Sequence, residues 1–131
     1  MTAPIIVTAK MLEDFLVPDE VMYEFNCAFS SKLVLNSVDE GKEYVSHFID
    51  VDWVMLANIV LSGINFMRFT REAAALRRGL KRKIDDFFLD NYSYGCCKYH
   101  YHMKDMWNAF YAELSALFVE ALFDQGQVEL G

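Results

Sequence analysis

The sequence predicts an all-α protein, and three observations support this prediction. Apolar residues recur at the three- and four-residue spacing of amphipathic helices along most of the 131 residues. The chain contains only two prolines and six glycines that could interrupt such helices. A strand competes with a helix only over residues 32–38, a short segment. Since no linker or internal repeat divides the chain, we expect one domain over residues 1–131, with six to eight helices around one apolar helix.

Two helices are predicted before residue 30. The first follows Pro4, because proline is tolerated in the first turn of a helix. It ends at Val17-Pro18, because a residue that precedes proline disfavours the α region. The second helix begins near Asp19. The apolar positions of the first helix are Ile5, Ile6, Ala9, Leu12, Phe15 and Leu16.

The middle of the chain predicts a short helix followed by the most apolar one. Ser37 and Glu40 have the spacing of a capping box, in which each side chain satisfies a backbone group of the other residue. Asp50 or Asp52 would cap the next helix. From Val51 to Phe69 apolar residues occur nearly all round the helix, as expected for a central buried one. Its narrow polar stripe consists of Asn58, Ser62 and Asn65.

Two more helices are predicted in the last third of the chain. Thr70 is a suitable N-cap for the first of them, with Glu72 in its first turn. Gly79 weakens this helix by about 1 kcal/mol without breaking it. The segment from Asp90 to Gly95 has the composition of a turn, and the last helix runs from about Lys104 to Phe123.

Composition and charge limit the classes of function. Hydrophobic residues make up 54% of the chain and charged residues 24%, which excludes a disordered protein. This apolar content exceeds what a small core needs, so part of it is expected to line a groove or an interface. The net charge of −7 and the pI near 4.8 argue against a nucleic-acid partner, which normally requires a basic surface.

The sequence also limits the cellular compartment of the protein and the chemistry it can perform. Three cysteines, two of them adjacent, provide no disulfide framework and favour a reducing compartment. The N-terminal residues lack the features of a secretory signal, and no run approaches the roughly 20 apolar residues that cross a bilayer. We therefore expect a soluble protein without a transmembrane anchor. No nucleophile–base pair or glycine-rich phosphate loop accompanies the three histidines, so we predict neither an enzyme nor a cofactor.

Three segments carry a resemblance to a known family. Phe48-Ile49-Asp50-Val51-Asp52-Trp53, which precedes an apolar helix, resembles the BH1 region of the Bcl-2 family. Residues 105–114, with Trp107, Phe110 and the step Glu113-Leu114, resemble BH2. Residues 25–30 (Phe-Asn-Cys-Ala-Phe-Ser) resemble the end of the family's second helix. In length and order the chain is most similar to viral prosurvival members from large DNA viruses, of the iridovirus type.

The resemblance implies a fold and a function. It implies a helical bundle around a central hydrophobic hairpin, and an inhibitor of apoptosis that holds proapoptotic BH3 helices in a hydrophobic surface groove. The implied partners are BH3-only proteins such as Bim, with the multidomain proteins Bax and Bak as alternatives. The implied location is the host cytoplasm, or the mitochondrial surface. Mapped by motif, the groove residues are Val21, Phe25, Phe29, Val45, Phe48, Asp52 and Met55.

One position departs from the family pattern. The BH1 arginine, which pairs with an aspartate of the ligand helix, corresponds to Met55 here. The loss of a charge-assisted hydrogen bond worth about 1.5–3 kcal/mol predicts a weaker or narrower range of ligands. Asp52 would repel the ligand aspartate, and Arg68 lies about 20 Å away along the predicted helix. Asn58, one turn on, offers a weaker neutral partner.

Several alternatives remain open at this point. Both tryptophans and the groove aromatics are also typical of ordinary core packing. A proapoptotic, pore-forming member would use a hairpin from Trp53 to Phe88, and a homodimeric helical scaffold would have lost BH3 binding. The cluster Cys96-Cys97-x-x-His100-x-His102 is too tightly spaced for one tetrahedral ion, so we predict a loop without a metal. The basic run from Arg77 to Lys83 predicts a solvated helix face, or a contact with an anionic membrane or partner.

Overall fold

A computed structural model describes residues 4–48, 50–90 and 96–126, and the side chains of residues 88–90 and 96–102 lie outside this description. The described residues form six helices and one two-stranded sheet. In chain order the elements are β1 (Ile5–Thr8), α1 (Ala9–Asp14), α2 (Asp19–Phe29), β2 (Lys32–Leu35), α3 (Val38–Val45), α4 (Trp53–Val60), α5 (Gly63–Asp90) and α6 (Cys96–Gln125). The chain is therefore mostly helical, compatible with the predicted all-α bundle, and a small sheet is added to it.

The N-terminal segment corrects the first predicted helix. Residues 5–8 form β1, which pairs antiparallel with β2 in a register that places Ile5 opposite Leu35. Ile5 and Val7 are buried, whereas Ile6 between them is 38% exposed, which is the two-residue period of a strand. β-branched side chains favour this conformation. Only α1 of the predicted first helix is helical, and its N-cap Thr8 accepts a hydrogen bond from the backbone N–H of Met11.

The next three helices begin where the sequence predicts. Pro18 precedes α2, and Ser30, in the left-handed conformation, follows its last residue Phe29. The Ser37 hydroxyl accepts a hydrogen bond from the backbone N–H of Glu40 at 3.2 Å and so begins α3. Asp52 caps α4 through a 3.0 Å hydrogen bond from the backbone N–H of Met55 to Oδ1. These caps are local, which is why the sequence alone could locate them.

The central apolar helix is broken, contrary to the prediction for residues 51–69. α4 ends at Val60, and Leu61 adopts an extended conformation. The broken ends are joined by Gln125 of α6. Its Nε2 donates to the carbonyl oxygen of Val60 at 2.9 Å, and its Oε1 accepts from the backbone N–H of Ser62 at 2.8 Å. Gln125 thereby replaces backbone hydrogen bonds that a continuous helix would have made itself.

α5 continues where the sequence predicts a new start. Thr70 is inside this helix rather than at an N-cap, and its hydroxyl donates to the carbonyl oxygen of Met67 at 2.9 Å. The helix passes through Gly79 without a break, as predicted. The hairpin predicted from Trp53 to Phe88 is therefore not formed by two equal helices, because α4 is short and residues 63–90 are one helix.

α5 and α6 form a long antiparallel hairpin instead. Asn65 Nδ2 donates to the carbonyl oxygen of Ala121 at 3.1 Å, and Arg68 pairs with Asp124. α6 begins at Cys96, so the backbone of residues 96–102 is helical and the loop predicted there is wrong. Their side chains, and residues 91–95 of the predicted turn, lie outside the described residues.

The core lies between the sheet, α2 to α4 and the second half of α6. Trp53, Phe25, Phe69 and Phe118 are its largest fully buried side chains. Beyond Leu80 in α5 and before Phe110 in α6, none of the described side chains is buried. In this far part of the hairpin, the described residues Ile84, Met106 and Trp107 are only partly buried and pack against the edge of the core. Within the described residues, no helix has the length and apolar character needed to cross a membrane.

Candidate helix-binding groove

Four of the predicted groove residues are core residues in this structure. Val21 is 7% exposed, Phe29 5%, and both Phe25 and Val45 are fully buried. Phe29 occupies the centre of an aromatic cluster, with ring centroids 5.3 Å from Phe25 and 6.1 Å from Trp53. These four side chains therefore do not line an open groove, because their apolar surface is already covered by other parts of the chain.

The other three predicted residues lie nearer the surface. Phe48 is half-buried, and its ring centroid is 4.7 Å from that of Phe29. Asp52 is exposed and its carboxylate caps α4, while Met55 is half-buried one turn into that helix. Phe48 and Asp52 line a surface groove, and Met55 is not among its lining residues.

This groove consists of two adjoining depressions of about 640 and 330 Å³, which share Glu24, Asp50 and Val51. We call it the Trp53 groove. α2 and the segment before α4 form one end of it, and α5 and α6 form the other. The smaller depression is lined by Tyr23, Glu24, Cys27, Ala28, His47, Phe48, Asp50 and Val51. The larger one is lined by Glu24, Asp50, Val51, Asp52, Trp53, Val54, Phe69, Thr70, Ala73, Ala74, Arg77, Phe110, Tyr111 and Leu114.

Trp53 fixes the geometry of this groove. Its indole N–H donates to the carbonyl oxygen of Phe48 at 3.2 Å, which ties α4 to the preceding segment. Its ring packs against Phe118 of α6 at 5.3 Å between centroids. Because the side chain is 1% exposed, it supports the groove floor from below and offers a ligand almost no surface.

The BH2-like segment contributes to the same groove, but through residues after its tryptophan. Phe110, Tyr111 and Leu114 are lining residues. Trp107 is half-buried and packs edge-on against Phe110, with ring centroids 5.8 Å apart. Trp107 is not among the lining residues, so its role here is to hold Phe110 and Tyr111 in place.

The two ends of the Trp53 groove carry opposite charges. Burial raises the pKa of the Glu24 carboxyl, and the nearby carboxylates of Asp52, Asp50 and Glu20 raise it further. The end formed by α2 and residues 50–52 is therefore acidic. Arg77, an exposed residue of α5, supplies a positive charge at the other end. A ligand helix would place a basic residue near the carboxylates and an acidic residue near this guanidinium.

Removing the charge of Glu24 should stabilise the protein. We expect Glu24→Gln to raise the free energy of unfolding by a few tenths of a kcal/mol near pH 7. The pKa is raised in the folded state, so folding disfavours the ionised carboxylate and the gain is present above the folded pKa. The gain should disappear as the pH falls below the unfolded value. Urea unfolding of the wild type and of Glu24→Gln, from pH 7 down to below the unfolded-state pKa, measures this gain. Glu13→Gln, at an exposed position, is the control. A loss of stability in Glu24→Gln near pH 7 would contradict the raised pKa of Glu24.

Sequence reasoning missed the contribution of α5 to the groove. The sequence places Arg77 in the solvated basic run and predicts no ligand contact for Ala73 or Thr70. Their spacing of three and four residues places them on one flank of the helix, beside Phe69. That spacing was visible in the sequence. The packing of this flank against the Trp53 segment was not, because it depends on contacts distant along the chain.

A second depression of about 690 Å³, the hairpin cleft, lies between α5 and α6 on the other flank of α5. Its floor is apolar and includes Leu76, Leu80, Met106 and Leu117. Charged side chains at its rim are Glu72, Lys83, Asp105, Glu113 and Glu120. It contains none of the residues that the sequence assigned to ligand binding.

Comparisons with protein-family models, with curated proteins and with solved structures found no match to this chain. Among the residues whose side chains are described, no group of three or more histidine, cysteine, aspartate or glutamate residues could hold a metal ion. The side chains of Cys96, Cys97, His100 and His102 lie outside that description.

Proposed function

We propose that this protein binds an amphipathic helix in the Trp53 groove and acts as a prosurvival sequestering protein for BH3 helices, such as those of Bim, Bax or Bak. One observation carries the proposal: the groove is lined by residues from both the BH1-like and the BH2-like segments. Asp52 and Val54 line it from the first, and Phe110 and Leu114 from the second. A Bcl-2-like bundle, with α5 and α6 as its hairpin, is part of this proposal.

The dimensions of the groove suit this ligand. Its volume is adequate for several apolar side chains projecting from one face of a helix. Val54, 49% exposed, and the half-buried Tyr111 and Phe48 provide accessible apolar surface. Burial of these side chains would supply most of the affinity, since a few apolar anchors dominate such interfaces. A BH3 helix that is held in the groove cannot bind its other targets.

Arg77 supplies the positive charge that Met55 lacks. A BH3 helix carries an aspartate that needs a cationic partner, and Arg77 is the cation among the lining residues described. Arg68, which the sequence had already excluded for its distance, pairs with Asp124. The guanidinium of Arg77 is exposed and has no ion pair with another described residue, so it is free to bind a ligand carboxylate.

The test is calorimetric titration with a panel of BH3 peptides. We expect binding by the wild-type protein and a loss of about tenfold or more in Arg77→Glu, since a charge-assisted hydrogen bond is worth about 1.5–3 kcal/mol. Arg78→Glu is the matched control, because Arg78 is adjacent, also exposed and absent from the groove lining. A peptide whose aspartate is replaced by alanine should bind both variants alike, which isolates the pair.

Two outcomes would contradict the proposal. No binding across the panel would remove the function altogether. An equal loss of peptide affinity in Arg77→Glu and Arg78→Glu would contradict binding in the Trp53 groove, because the loss would then depend on net charge alone. Gel filtration with and without peptide distinguishes the scaffold alternative, in which the chain is a dimer that no peptide changes.

A further inference from the structure

The exposed face of α5 differs in charge from the rest of the protein. The whole chain carries a net charge of −7. On α5, however, four exposed cations follow one another on the side of the helix away from the core. We call this surface the basic face; its cations are Arg71, Arg78, Lys81 and Arg82. A local positive surface on an acidic protein selects an anionic partner that the global charge would repel.

Helix geometry aligns this face. Ile64, Arg71 and Arg78 are seven residues apart, so they lie within about 40° of one another around the axis. Phe69 and Leu80, which are 1% and 6% exposed, lie on the opposite side against the core. The basic face therefore points directly away from the protein. From Ile64 to Arg82 it is about 27 Å long.

No acidic residue lies on the basic face between Ile64 and Arg82. Among the described residues, Lys42 and Arg68 form ion pairs with carboxylates, and none of the four cations of this face does. Glu72 lines the hairpin cleft on the neighbouring flank. Asp85 is the first acidic residue on the face itself, one turn beyond Lys81. An external anion would therefore meet four unpaired cations.

Two apolar side chains extend the same face towards the start of α5. Ile64 is 82% exposed and Met67 is 61% exposed. They lie at the three- and four-residue spacing that leads on to Arg71. Exposed apolar side chains in line with a basic stripe are the pattern of a helix that lies on a lipid surface, with its cations at the phosphate groups. Nucleic acid would use the cations but not Ile64 and Met67.

We propose that the basic face of α5 is a docking surface for anionic lipid membranes, on which the helix lies flat. The cations bind the lipid phosphates and carboxylates, and Ile64 and Met67 enter the boundary between headgroups and acyl chains. None of the four cations, nor Ile64 or Met67, is among the lining residues of the Trp53 groove, which adjoins this surface on one flank of the same helix.

The test is co-sedimentation of the full chain with vesicles. We expect binding to vesicles of mixed phosphatidylcholine and phosphatidylserine, little binding to phosphatidylcholine alone, and a marked loss as salt is raised. The triple variant Arg78→Glu, Lys81→Glu, Arg82→Glu should bind about 100-fold more weakly or worse, at about fivefold for each charge lost. The control is Lys10→Glu, Lys32→Glu, Lys104→Glu, which makes the same change in net charge at exposed positions outside the basic face.

A second variant tests the apolar part of the surface. Ile64→Ser with Met67→Ser should weaken binding to the mixed vesicles and leave the thermal unfolding midpoint unchanged, because both side chains are exposed. No binding to mixed vesicles, or equal losses in the two charge variants, would overturn the proposal. Unchanged vesicle binding in the serine variant would also overturn it, and tight binding of single-stranded DNA in its place would assign the face to nucleic acid.

Discussion

Replacing Trp53 with alanine is expected to lower the free energy of unfolding by about 3–5 kcal/mol, because it empties the centre of the core. The side chain is 1% exposed and packs between Phe29 and Phe118, at centroid distances of 6.1 and 5.3 Å. Its loss also leaves the carbonyl oxygen of Phe48 without the indole N–H donor. Urea unfolding followed by far-ultraviolet circular dichroism measures the change without relying on tryptophan emission.

Trp107→Ala is the matched control for this prediction. Trp107 is half-buried on the far part of the hairpin and makes its ring contacts with Phe110 and Tyr111 alone among the described residues. We expect a loss of about 1 kcal/mol. Trp53→Phe keeps most of the ring volume but removes the N–H donor, so its loss of unfolding free energy should lie between those of Trp53→Ala and Trp107→Ala. Equal effects of Trp53→Ala and Trp107→Ala would contradict the placement of the core.

Gly41→Leu should destabilise the protein by about 1–3 kcal/mol, because the buried neighbours of Gly41 in α3 leave too little room for a leucine side chain. A Cβ atom there would lie 3.1 Å from Cγ1 of Val119 and 3.2 Å from Cδ2 of Leu35. Both neighbours are fully buried, so neither can move without displacing other core residues. This close approach lets α3 pack tightly against β2 and α6.

The same substitution at Gly79 should have the opposite effect on stability. Gly79 is also helical, yet a Cβ atom there would meet nothing within 4 Å. Gly79→Leu is therefore expected to stabilise α5 by about 0.5–1 kcal/mol through helix propensity alone. Thermal unfolding of the two leucine variants beside the wild type measures the difference. Two changes of the same sign would contradict the packing described around Gly41.

The sequence located the elements whose signals are local. The start of α2 after Pro18, the cap of α3 at Ser37 and the cap of α4 at Asp52 depend on residues within one helical turn. Such signals act over a few residues and survive any arrangement of the remaining chain. The continuity of α5 through Gly79 was predictable for the same reason, since one glycine costs only about 1 kcal/mol within a long helix.

Signals that depend on distant residues were missed. Ile5 and Ile6 fit a helical pattern, but pairing with Leu35 and Val34 turns the segment into a strand. The apolar run after Val51 fits one long helix, but Gln125 stabilises a break at Ser62 from 63 residues away. In both places the local preference was weak, and hydrogen bonds to a distant partner decided between alternatives of similar energy.

The candidate site shows the same difference between local signals and contacts with distant residues. The family resemblance mapped Val21, Phe25 and Phe29 of α2 to the groove, and these side chains do share one face of the helix. Whether an apolar face meets a ligand or the core depends on what packs against it, and here α3, α4 and the aromatic cluster cover it. The residues left at the surface are Phe48 and Asp52 from the prediction, with Arg77 brought to them by α5.

The sequence by itself therefore determined that the chain is mostly helical and where several helices begin. It also marked Trp53 and Trp107 as the centres of the two segments that resemble BH1 and BH2. The tertiary structure alone decided that Trp53 supports a groove from within the core while Trp107 braces the hairpin. The reason is physical: helix periodicity and caps are properties of neighbouring residues, whereas burial is a property of the contacts made by the whole chain.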